Sequence, residues 1–184
     1  MMRRLLLSLL YLVLTSGFLS GQEKYLTNQG KIQFYSHTAI EDIKAENEEV
    51  AGVIDASSGE VAIIVTMTKF QFPKKLMQEH FNENYVESEK YPKATFSGRI
   101  VNHSDVDYAS AGSYAVRVEG DMTIHGRSRK VSAEGSMEVN SQGIIARTKF
   151  LLNPEDYDIR IPRVVRRNIA ENLEITVELK CQPI

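Results

Sequence analysis

From Tyr114 to the C-terminus the chain keeps a two-residue code that few folds can accommodate. Tyr114, Val116, Val118, Gly120, Met122 and Ile124 fall on one side, against Arg117, Glu119, Asp121, Thr123 and His125 on the other. Such alternation is the pattern of a half-buried strand. It returns in Val131 to Val139, in Ile144 to Leu152 and in Leu173 to Cys181, with turns at His125-Gly126-Arg127-Ser128 and Ser141-Gln142-Gly143. The N-terminal half adds runs at Lys31 to Ser36, Asp42 to Glu46, Val50 to Ala56, Val61 to Thr68 and Ala94 to Asn102, for a tally of eight or nine strands. One stretch departs from the code. Pro73 to Val86 sets Leu76, Met77, His80, Phe81 and Tyr85 at helical spacing, which predicts a short amphipathic helix. Asn153 to Asn168, with Pro154 and Pro162, reads as a long loop with a helical turn near Arg163 to Ile169.

Antiparallel strands with one apolar face must stack as two sheets or close on themselves, and closure removes the exposed edges. The expected fold is therefore all-β, an antiparallel barrel of about eight strands with one short helix. Such a barrel has room inside for side chains or one small ligand. Glycines at the inward positions 98, 120 and 135 either bend the strands or leave volume unfilled, and three together favour a cavity.

Ahead of the strands, Met1-Met2-Arg3-Arg4, the apolar run Leu5 to Leu14 and the small residues to Gly21 have the layout of a secretory signal peptide. The expected organisation is a signal over 1–21, cut after Gly21, and one barrel domain over 22–184. The apolar run is nearer ten residues than the roughly 20 a membrane span needs. The mature protein is expected to be soluble and periplasmic or secreted. With 22 basic against 24 acidic residues the chain carries no basic excess for nucleic acid. The single cysteine, Cys181, excludes an intramolecular disulfide framework.

Reactive constellations are scarce in the sequence. His37, His80, His103 and His125 show no two-histidine helical motif, so no metal site is expected, and neither a nucleophile elbow nor a phosphate loop is present. No catalytic residue and no cofactor are assigned. Basic residues gather at Arg127, Arg129 and Lys130 and at Arg163, Arg166 and Arg167. Each cluster reads as solvated loop charge or, at a barrel mouth, as a partner for an anionic headgroup.

Several segments, in this order, resemble the YceI-like family of secreted lipid- and polyisoprenoid-binding proteins. They are Ile32-Gln33-Phe34-Tyr35-Ser36-His37, Gly52-Val53-Ile54-Asp55, Phe81-Asn82-Glu83-Asn84-Tyr85 leading through Tyr91-Pro92 to Ala94-Thr95-Phe96, and Gly120-Asp121-Met122-Thr123-Ile124-His125-Gly126. The resemblance runs from about Gly30 to Cys181. It implies a lipocalin-like eight-stranded barrel whose apolar tunnel holds a polyisoprenoid or other long-chain lipid without catalysis. The lining expected from the inward faces and the aromatic run before the helix is Phe34, Ile64, Met67, Phe70, Phe72, Phe96, Ile100, Tyr114, Val116, Val118, Met122 and Phe150, with His37 and Arg163 as headgroup candidates. The alternative is a secreted interaction module with a filled barrel, acting through its loops on an envelope protein. An unpaired edge or an apolar loop would be the route to a homodimer.

Overall fold

The computed structural model describes residues 24–184; the expected signal at 1–21 lies outside the described residues. Eight antiparallel strands follow one another around a closed barrel: β1 (Lys24–His37), β2 (Asp42–Asp55), β3 (Glu60–Thr66), β4 (Lys93–Ile100), β5 (Gly112–Ile124), β6 (Arg127–Asn140), β7 (Gly143–Leu152) and β8 (Leu173–Pro183), which pairs back onto β1. The one α-helix among the described residues, α1 (Lys75–His80), continues as a π turn over Phe81–Tyr85 and lies in the connection between β3 and β4.

β1 is longer than its run of alternation, and two of the expected runs, Asp42 to Glu46 and Val50 to Ala56, belong to the single strand β2. In β2 the two consecutive exposed residues Glu48 and Glu49 shift the inward phase from Ala45 and Asn47 to Val50, so one bulged strand looks like two. Asn47, fully buried, holds the bulge: its side-chain amide donates to Thr66 O at 2.9 Å and its Oδ1 accepts from Glu49 N at 2.9 Å. A similar slip at Asn28 and Gln29 hides the first turn of β1, whose inward residues there are Thr27 and Gly30.

Two of the inward glycines do not open space. Gly98 and Gly120 face each other across β4 and β5, and the ring of Phe96 lies over both. A Cβ on Gly98 would stand 2.6 Å from Phe96 Cζ, and one on Gly120 would stand 2.5 Å from the Cα of Gly98. Their expected role in the cavity is corrected on this ground: the close approach of two backbones and a ring uses the room that their missing side chains leave. Gly135 does border the cavity.

The two ends of the barrel differ. At the end holding the β2–β3 and β6–β7 turns, Val50, Met137, Val139, Ile144 and Cys181 are buried and form a packed floor. Burial pushes the Cys181 thiol up to about 12, so hardly any thiolate exists near neutrality. The native protein is expected to leave a thiol reagent such as dithionitrobenzoate unconsumed at pH 8 and to react with one equivalent once denatured. Fast labelling of the folded chain would contradict the packed floor.

At the other end β6 and β7 part. Their ladder runs from Asn140–Gly143 only as far as Gly135–Thr148, where Thr148 Oγ1 donates to Glu134 O at 2.6 Å. Beyond it Arg127 to Glu134 pair with β5 alone, and Lys149 to Leu152 with β8 alone.

His125 ties this end together. It sits in the β5–β6 turn with φ 50°, its Nδ1 donates to Tyr157 O at 3.0 Å, its Nε2 lies 2.7 Å from Glu87 Oε2, and its ring packs edge-on against Tyr91. Three connections thus meet on one imidazole. His125→Asn, which tolerates the positive φ, is expected to cost about 1–3 kcal/mol by losing these bonds, read as a lower urea midpoint. An unchanged midpoint would show that the connections hold without the imidazole.

Candidate ligand cavity

Above the floor the barrel encloses a cavity of about 400 Å³. Its walls are the inward faces of the strands, including Ile63, Val65, Val116, Val118, Ala146 and Val177. A cluster of phenylalanines, Phe34, Phe70, Phe72 and Phe81, closes one side, with ring centroids in contact at 5.1 to 5.7 Å. The open end lies between α1, the β1–β2 turn and the β7–β8 loop, all of which contribute lining residues.

Ten of the twelve side chains expected as lining border this cavity: Phe34, Met67, Phe70, Phe72, Phe96, Ile100, Val116, Val118, Met122 and Phe150. Two do not. Ile64 lies on the outer face and is 44% exposed, because β3 turns Val61, Ile63 and Val65 inward. The unbroken run Val61 to Val65 offers no polar residue to set that phase. Tyr114 has the inward phase but stands at the floor end, where its hydroxyl donates to Asp107 O at 3.4 Å and it packs against the core below the cavity.

Both headgroup candidates are also displaced. His37 points outward, one residue out of phase with inward Ser36, and its Nδ1 lies 2.6 Å from Asp42 Oδ1. Arg163 is exposed on the β7–β8 loop, which turns Ile161, Val165 and Ile169 towards the cavity instead. Those three residues, and Phe81 and Met77 on the helical segment, are among the lining that the strand pattern misses. Phe81 and Met77 carry a signal in their four-residue spacing; the loop residues, flanked by Pro162 and arginines, carry none.

Polar groups concentrate at the open end. Glu41 sits there with its Oε1 3.0 Å from the Lys74 ammonium and its Oε2 accepting from the Asn168 side-chain amide at 3.3 Å. Lys74 first, and Asn168 second, hold the Glu41 carboxyl below its usual range. Ser36 Oγ accepts from Ala170 N at 2.8 Å, and His80 borders the same opening. These bonds join the β1–β2 turn, the α1 entry and the β7–β8 loop around one carboxylate. Among the described residues no three histidine, cysteine or acidic side chains are grouped so as to hold a metal ion.

The family model for the YceI-like domain matches residues 24–181, which is the whole barrel to within its last strand. The chain belongs to the YceI-like family. No curated protein matches it significantly. Among solved structures, this YceI-like barrel is similar to a polyisoprenoid binding domain from Saccharophagus degradans implicated in plant cell wall breakdown, at 13% identity and a TM-score of 0.76, covering 89% of this chain and 99% of that one. It is also similar to BcnA of Burkholderia cenocepacia, at 15% identity and a TM-score of 0.68 over 81% of this chain and 94% of that one. The YCEI protein of Campylobacter jejuni follows at 13% identity and 0.59, over 78% and 86%. At these identities the likeness is one of fold.

Proposed function

We propose that this YceI-like protein is a secreted or periplasmic binding protein that holds a polyisoprenoid or a similar long-chain amphiphile in its barrel and carries out no reaction on it. The observation that carries the reading is the cavity. At about 400 Å³ it falls in the range of roughly 300–1,000 Å³ typical of small-molecule sites. Its walls are predominantly apolar, with Ser132, Ser136, Arg147 and Thr148 bordering it where β6 and β7 part and Glu41, His80 and Asn168 standing at the open end. An arrangement of this kind suits a molecule with a long hydrocarbon body and a polar end. Each methylene taken from water into such walls is worth about 0.8 kcal/mol, so a chain of moderate length outweighs the cost of immobilising it without any directed contact. The polyisoprenoid-binding description of the Saccharophagus degradans domain agrees with this choice of ligand. Export is supported by the Arg3-Arg4 pair and the apolar run that follows it.

Organic extraction of the purified protein followed by mass spectrometry tests the reading. A stoichiometric long-chain lipid is the expected result. A clean extract, with no uptake of added quinones or polyprenyl phosphates, would overturn it.

A further inference from the structure

We propose that the open end of the barrel is also a docking face for an anionic lipid bilayer, so that the barrel seats mouth-down and its cavity meets the hydrocarbon directly. The inference rests on the lipid-binding reading above, and three observations carry it.

The first is charge. Residues 159–170 contain Arg160, Arg163, Arg166 and Arg167 and no acid, in a chain whose net charge is −2. All four arginines are exposed, and only Arg166 has an ion pair among the described residues, with Glu155. The flanks of the loop hold Glu155, Asp156, Asp158 and Glu171, of which Glu155 pairs with Arg166 and Asp158 with Arg127, so it is the acid-free stretch with Arg160, Arg163 and Arg167 that an anionic surface would attract, and this local cluster orients the barrel.

The second is the set of exposed apolar residues. Ile40 is 55% exposed, Leu76 61% and Val164 90%, and each projects from a different element: the β1–β2 turn, α1 and the β7–β8 loop. The third is that Glu41 binds Lys74 and Asn168, which brings those three elements to one rim. Separate apolar points among cations fit a fluid surface, where each finds hydrocarbon on its own. A protein partner would need a matching pocket for every one. Basic residues with interspersed apolar side chains are the usual makeup of a segment that rests in a membrane interface. The loop faces both ways, with Ile161, Val165 and Ile169 on the cavity and Arg163, Val164 and Arg167 outside.

Co-sedimentation with phosphatidylcholine vesicles, with and without phosphatidylglycerol, is the test. The full mature chain is expected to pellet only with the anionic vesicles and to be released by salt. The double variant Arg163→Gln, Arg167→Gln should bind roughly thirtyfold more weakly, and Val164→Asp should also weaken binding. Lys180→Gln, near the floor, should change nothing, and circular dichroism of each variant confirms that it is folded. Equal binding to neutral vesicles, no binding at all, or full binding by the arginine variant overturns the proposal. So does a change in the self-association of the protein alone, which would make this face an interface between copies. The two readings separate cleanly. Lipid in the extract without vesicle binding removes docking and leaves the cavity's function in place; vesicle binding with a clean extract and no lipid uptake does the reverse.

Discussion

Val118→Glu is expected to empty the barrel and leave its strands in place. Val118 is half-exposed, and what it is exposed to is the cavity, between Val116 and Met122 on the inward face of β5. A carboxylate there would draw water into the hollow. A hydrocarbon chain could enter only by leaving that charge without solvent, at a cost of several kcal/mol. Lipid retention should fall by at least about a hundredfold, the equivalent of about 3 kcal/mol. Far-ultraviolet circular dichroism and the urea midpoint should change far less, because in the empty barrel the new charge keeps its water. Val118→Leu serves as the control and should still bind. If the glutamate variant instead fails to fold, the position belongs to a solid interior and the cavity loses its standing as a ligand site.

Gly120→Val should do the opposite and destroy the barrel itself. Any Cβ at this position would press on the Ser97 carbonyl oxygen, lie 2.5 Å from the Cα of Gly98 and lie 2.8 Å from the Phe96 ring. Two of these three neighbours are backbone and cannot swing away. Overpacking in well-packed interiors costs about 1–3 kcal/mol even where side chains can adjust. Here the register of β4 on β5 has to shift, and a loss of more than 3 kcal/mol is expected, seen as insoluble expression or a collapsed melting temperature. Phe96→Ala in the same background should recover little, since the carbonyl and the facing Cα remain. A variant as stable as the parent would mean that the two strands do not approach as closely as the Gly98–Gly120 pair requires.

The strands from β5 onward were legible because each inward apolar residue alternates with a polar one, and the turns between them carry glycine or serine. The N-terminal strands were less so. In β1 and β2 a bulge reverses the phase in mid-strand, and in β3 five consecutive apolar residues erase it, so that nothing in the run distinguishes outward Ile64 from inward Ile63. The aromatic side of the cavity could be read from Phe34, Phe70 and Phe72, but the contribution of the β7–β8 loop could not. Ile161, Val165 and Ile169 reach the cavity through irregular backbone, for which no period exists. Glycine was ambiguous for a different reason: whether a missing side chain leaves a void or admits a neighbour depends on a ring two residues away, and Phe96 occupies the space at Gly98 and Gly120.

The short β6–β7 ladder sets how the wall can yield. A ring of staves joined unequally spreads where a joint stops short, and at the open end β6 and β7 share only six residue pairs where β5 and β6 share thirteen. The backbone groups of β6 that look away from β5 above Gly135 have no strand opposite them, so their amides should exchange with deuterium well before those of the floor. Any widening there would leave the other seven seams paired. The cations at Arg129, Lys130 and Lys149 flank the gap and discourage a foreign strand from completing it.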